Sequence, residues 1–165
     1  MTTPAITFGL DTFGDVTRDA DGHTTSLPQV IRDVVAQGVR ADEVGVDHFS
    51  LGEHHRDDFA ISAPDIVLAA LASRTERITL GSAVTVLSSD DPVRVYERFA
   101  TIDAISNGRA EITVGRGSFI ESFPLFGYDL ADYEVLFAEK LDLLSLLRTE
   151  GPLTWSGTTR RPLTG

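Results

Sequence analysis

Four short runs of strand character recur along the chain, at residues 6–10, 48–53, 78–87 and 110–114, and each is followed by turn residues and then a helical pattern. Strands separated by single helices pair in parallel through right-handed crossovers, because a right-twisted strand feeding a right-handed helix packs back onto the sheet only that way. Two architectures satisfy this order: an open doubly wound sheet, and a closed barrel of eight strand-helix units that typically takes about 250 residues. A chain of 165 residues holds four units. The expected fold class is α/β with parallel strands, either an open sheet or, at four of the eight units, the N-terminal half of a (β/α)8 TIM barrel. Residues 1–150 are expected to form the half-barrel, and 151–165, rich in Gly, Pro, Thr and Arg, a loop or hairpin tail.

The helices are read from apolar spacing. Leu27, Val30, Ile31, Val34 and Val35 follow the i, i+3, i+4, i+7, i+8 pattern of one buried face. A second helix is expected to open near Ser62 and Pro64, to bury Ile66, Val67, Ala70 and Leu71, and to end around Arg77. Asp90, Asp91 and Pro92 suit the first turn of a third, which carries Val95, Phe99 and Ile102 and stops at Asn107 and Gly108. The fourth follows Asp132, with Phe137, Leu141 and Leu144 on its stripe, widened by Leu136, Leu143 and Leu147.

Charge removes several partner classes. The 25 acidic side chains against 14 basic ones give a formal net charge of -11, a field that repels a nucleic-acid backbone. With no cysteine there is neither a disulfide framework nor a thiolate metal site, which fits a reducing, cytoplasmic setting. Residues 1–10 lack the basic start and apolar stretch of a signal peptide, and no segment approaches the roughly 18 apolar residues of a membrane span.

In either architecture ligands bind at the C-terminal ends of the strands, so the residues just after Leu51, Val86 and Val114 carry the functional expectation. After the second strand stands Glu53-His54-His55-Arg56-Asp57. Histidine titrates near neutrality and serves as general acid or base. Neighbouring residues of an extended segment point to opposite faces, which places His54 and His55 poorly for sharing one metal ion. A His-carboxylate-Arg cluster that caps the strand accounts for the same residues. The third strand, Gly81-Ser82-Ala83-Val84-Thr85-Val86, is small where barrel strands are usually bulky, which admits a flat ligand or relieves packing under a helix. After the fourth, Arg116 between Gly115 and Gly117 offers paired donors for a phosphate or carboxylate. The stretch fails as a dinucleotide fingerprint, since position 120 is Ile.

Taken in order, Glu53-His54-His55, Leu80-Gly81-Ser82-Ala83-Val84, Asp91-Pro92-Val93-Arg94 and Ile105-Ser106-Asn107-Gly108-Arg109, running into Val114-Gly115-Arg116-Gly117, resemble the bacterial-luciferase-like flavin-dependent monooxygenases. The likeness runs from about residue 6 to 155 and is most specific over 80–128. It implies the N-terminal half of a (β/α)8 TIM barrel and a flavin-dependent oxidoreductase that takes FMN, reduced by a partner reductase, or the deazaflavin F420, and acts on a small organic substrate with O2. It further implies that His54 is the active-site histidine and that Ala83 and Val84, joined by a cis peptide bond, line the flavin ring. Arg116 would reach the flavin phosphate, with Glu53 and Thr85 as neighbours.

The family pattern continues for four more strand-helix units, and this sequence breaks off in what resembles a hairpin before the fifth strand. The expectation is a truncated half-barrel that self-associates, as a homodimer or with a second half-barrel chain, to cover its edges. Two alternatives stand beside the flavin reading. One is a non-catalytic half-barrel serving as a structural or regulatory partner; the other is a metal-dependent barrel hydrolase using His54, His55 and Asp57.

Overall fold

The computed structural model describes residues 6–165. The first five residues, which belong to the leader reading and to the 1–150 range, lie outside it. The sheet has the order β1-β2-β3-β5, all parallel: Gly9–Thr12, His48–Leu51, Thr79–Ser82 and Ala110–Glu111. Two further strands, β4 (Thr85–Val86) and β6 (Val114–Gly115), pair in parallel beyond it. The expected runs 78–87 and 110–114 are thus each broken in two. The first strand lies later than residues 6–10, although the Phe8 carbonyl already accepts from the backbone N–H groups of Asp47 and His48.

Helices α1 (Leu27–Val44), α2 (Pro64–Ala72), α3 (Pro92–Ser106) and α5 (Tyr133–Leu146) stand side by side on one face of the sheet. Their inner residues meet Phe49, Leu51, Ile78 and Leu80 in a continuous core, in which Leu51, Leu68, Leu71, Leu87 and Val95 have no exposed surface. Alternation along β2 sends His48 and Ser50 to the opposite, helix-free face, where His48 Nδ1 lies 3.5 Å from Glu111.

Local chemistry sets the boundaries. Asp91 caps α3 by accepting from the backbone N–H groups of Val93 and Arg94. Asn107, with φ of 60°, ends the same helix in the left-handed region. Several helical expectations fail: Leu27, Ile31 and Leu141, expected on the buried faces of α1 and α5, are exposed. Ile66 is 68% exposed on the outer face of α2, where Leu68 and Ala72 are buried instead. The helix also stops at Ala72, not near Arg77, because Thr75 and the carbonyl groups of Ala72 and Thr75 are taken up by the Arg109 guanidinium. A short helix, α4 (Ser122–Phe126), was not expected, having only five residues and a proline within it. The 151–165 tail packs on α5: Trp155 is buried and pairs with Leu163, and Glu139 accepts from Thr158 and Thr159.

Candidate active site

A cleft of about 510 Å3 opens at the C-terminal ends of the strands, lined by segments that follow β1, β2, β3 and β6. The volume falls within the range of small-molecule sites. His54, Ala83, Val84 and Arg116, which lie far apart in sequence, all line it.

His54 is delivered by the end of β2, where its backbone N–H donates to Ile61. Its ring stacks on Phe59 at 4.4 Å and is met edge-on by Phe13 at 4.9 Å and Phe119 at 5.2 Å. Among the described residues neither ring nitrogen has a hydrogen-bond partner. Burial lowers the imidazole pKa below its usual value, against the opposing pull of Glu121 and Asp58. At neutral pH this side chain is uncharged, with one donor and one acceptor free.

An apolar part of the cleft wall is built from Ala83, Val84 and Val86. The Ala83-Val84 peptide bond is cis. Gly115 faces this wall so closely that a Cβ there would lie 2.7 Å from Val84 Cγ2. The cleft is shaped by a missing side chain at that point.

At the rim, Arg116 Nη1 donates to both carboxylate oxygens of Glu134 at 2.8 Å. The guanidinium lies over the rings of Tyr133 and Phe137, 5.7 and 5.6 Å from their centroids. Its Nε and Nη2 have no protein acceptor among the described residues, so one edge of the fork remains for an anion.

Of the two further expected cofactor neighbours, Glu53 also lines the cleft and Thr85 does not. Glu53 turns inward, accepting from the Val86 N–H at 2.9 Å through one oxygen and contacting His55 Nε2 at 3.0 Å through the other. It is a strut between the end of β2 and β4. Thr85 is 3% exposed and faces a second, smaller cavity, because β4 alternates and Val86 takes the cleft side. Gly81 and Ser82 also lie away from the cleft. Gly81 makes room for His48, and Ser82 bonds to the Thr113 carbonyl. Of the residues in the metal alternative, His54 and His55 line the cleft and Asp57 does not; among the described residues the group with metal-ligand spacing is the exposed set Asp19, Asp21 and His23.

Reasoning from sequence missed the aromatic residues Phe13, Phe59 and Phe119 around His54 and the Glu134 partner of Arg116. Phe59 was within reach, lying in the same post-β2 loop; Glu134 arrives only through the fold.

The luciferase-like monooxygenase family model matches residues 11–165. A 4-hydroxyprotoasukamycin monooxygenase from Streptomyces nodosus subsp. asukaensis is 36% identical over 115 residues, covering 68% of this chain and 31% of that protein. Limonene 1,2-monooxygenase from Rhodococcus erythropolis is 35% identical over 107 residues, covering 64% and 28%. Among solved structures, the oxygenating constituent of 3,6-diketocamphane monooxygenase from Pseudomonas putida, in complex with FMN, superposes with a TM-score of 0.84 at 21% identity. That match covers 98% of this chain and 44% of the other. The chain spans about a third of the length of the curated relatives it matches and under half that of the solved ones. On the family match, which takes in every described strand but the first two residues of β1, the chain belongs to the luciferase-like monooxygenase family.

Proposed function

We propose that this chain provides the flavin-facing wall of an FMN-using, O2-dependent monooxygenase of the luciferase-like type. The observation that carries the reading is the convergence of His54, the Ala83-Val84 wall and Arg116 on one cleft at the C-terminal ends of the strands. The residues present suit a planar, phosphorylated cofactor. Gly115 clears the approach to an apolar wall, and Arg116 has a free donor edge for a phosphate. When bound, reduced flavin supplies the activation of O2. The protein's part is to hold and shield. Val84 and Val86 exclude water from one face, Arg116 anchors the phosphate, and neutral His54 accepts or returns a proton through its free nitrogens.

A partner reductase would supply the reduced cofactor, and a cysteine-free sequence fits a cytoplasmic setting. No helix of the described residues is long and apolar enough to cross a membrane. The deazaflavin F420 is the second cofactor candidate. An F420-dependent secondary alcohol dehydrogenase, solved with an F420-acetone adduct, superposes with a TM-score of 0.74 over 95% of this chain.

Flavin titration tests the reading. The chain is expected to quench FMN fluorescence on binding. Arg116→Ala should weaken FMN at least tenfold while leaving riboflavin, which has no phosphate, unchanged. Failure to bind FMN or F420, or equal losses for FMN and riboflavin, would overturn it.

A further inference from the structure

The cations at the mouth of the cleft are already matched by carboxylates. Arg56 donates through Nε and Nη2 to the two oxygens of Asp58, at 2.9 and 3.0 Å. Arg116 is held by Glu134. No lysine lines the cleft, Glu121 adds a further acid to its rim, and the whole chain carries -11. An anionic substrate that approached this surface beside a phosphorylated cofactor would meet a repulsive field and no cation left over for it.

The interior is apolar in a particular way. Three phenylalanine rings, Phe13, Phe59 and Phe119, surround His54, and the Arg56 guanidinium lies 4.6 Å from the Phe119 centroid. Ring faces and edges reward another aromatic in offset or edge-on contact, beyond the area it buries; an aliphatic chain receives only the burial. One such contact corresponds to a factor of roughly 2 to 13 in affinity, so two give on the order of tenfold or more. Among the polar groups of the cleft, the neutral His54 ring stands between these phenylalanines with a donor and an acceptor free. A hydroxyl or carbonyl on the ligand satisfies it.

We propose that the substrate of this cleft is an uncharged planar aromatic molecule bearing a hydroxyl or carbonyl group, and not a straight-chain aldehyde or an alkyl sulfonate. The inference rests on the oxygenase reading for its meaning, though not for its test.

The test is a titration of the chain, both flavin-free and saturated with FMN, with 2-naphthol, decanal and octanesulfonate, following the His54 ring protons by NMR; naphthol that FMN displaces from His54 would overturn the proposal. 2-Naphthol is expected to bind at least tenfold more tightly than decanal, with octanesulfonate weakest, and to shift the His54 protons by its ring current. Phe59→Leu and Phe119→Leu should each cost several-fold in naphthol affinity and leave decanal unchanged. Comparable binding of decanal or octanesulfonate, no binding of naphthol, or naphthol binding that leaves His54 undisturbed would overturn the proposal. The wild-type comparison decides even where a variant fails to fold. FMN titration of the same sample separates the two readings: flavin binding without a naphthol preference removes this inference alone, and a naphthol preference without flavin binding removes the flavin reading alone.

Discussion

Gly115 and Val84 interlock, and the cleft wall depends on that contact. Gly115→Ala forces a Cβ to within 2.7 Å of Val84 Cγ2. The expected cost is about 1–3 kcal/mol of overpacking, measured by urea unfolding, with weaker FMN binding as the wall is displaced. His54 makes a pH prediction. Its folded pKa lies below the unfolded value of about 6.5. As pH falls toward and below about 6.5 the unfolded state therefore takes up a proton that the folded state refuses, and stability drops; the effect fades as pH rises past about 7. NMR titration should place the His54 midpoint below 6.5. At this scale the sequence was legible where a residue's chemistry and its strand-end position coincided, as for His54 and Arg116. It was illegible at Thr85, because the break between β3 and β4 resets the alternation that decides which side chain faces the cleft.

The elements are joined by a few long polar side chains. Arg109 donates to the carbonyl groups of Ala72, Thr75, Ile78 and Ser106 and to the Thr75 hydroxyl, tying the end of α2, the start of β3 and the end of α3 together. Arg109→Ala strands several of these acceptors and should cost at least about 2–3 kcal/mol in chemical denaturation. The run Ile105 to Arg109 was legible as a motif, while its purpose as a three-element tie was not, since every acceptor but the Ser106 carbonyl lies more than 30 residues away. Lys140 is a second case. It is 3% exposed on the inner face of α5, donates to the Ser88 carbonyl, and lies 4.0 Å from the Tyr128 ring centroid. Burial lowers its pKa to about 8. Between pH 8 and the unfolded value near 10.4 the unfolded state binds the extra proton. Stability should therefore rise with pH there, by up to about 1.4 kcal/mol per unit, and Lys140→Met should abolish that rise in pH-dependent denaturation. The leucine stripe of α5 was read correctly at Leu136, Leu143 and Leu144; Lys140 falls in the same register, and its burial follows from an acceptor on another element.

At the scale of the whole molecule, the parallel order and helix layer were legible because one helix between each pair of strands admits so few topologies. Among the described residues β1 pairs on one side alone, and Phe8 and Leu10 beside that edge are 68% and 50% exposed. We expect the chain to self-associate through this edge. Sedimentation at increasing concentration should show a rising mass, and Leu10→Lys should lower it. A constant monomer mass would exclude this. The Glu53 strut has a different consequence. Because one carboxylate fastens the end of β2 to β4, the histidine side of the cleft and its valine wall move as one body. A ligand would then enter a surface whose shape was fixed during folding, and little conformational freedom is left to lose on that side. Adaptation to differently shaped molecules falls instead to the stretch after β6, around Phe119, and variation there would alter selectivity without disturbing the scaffold.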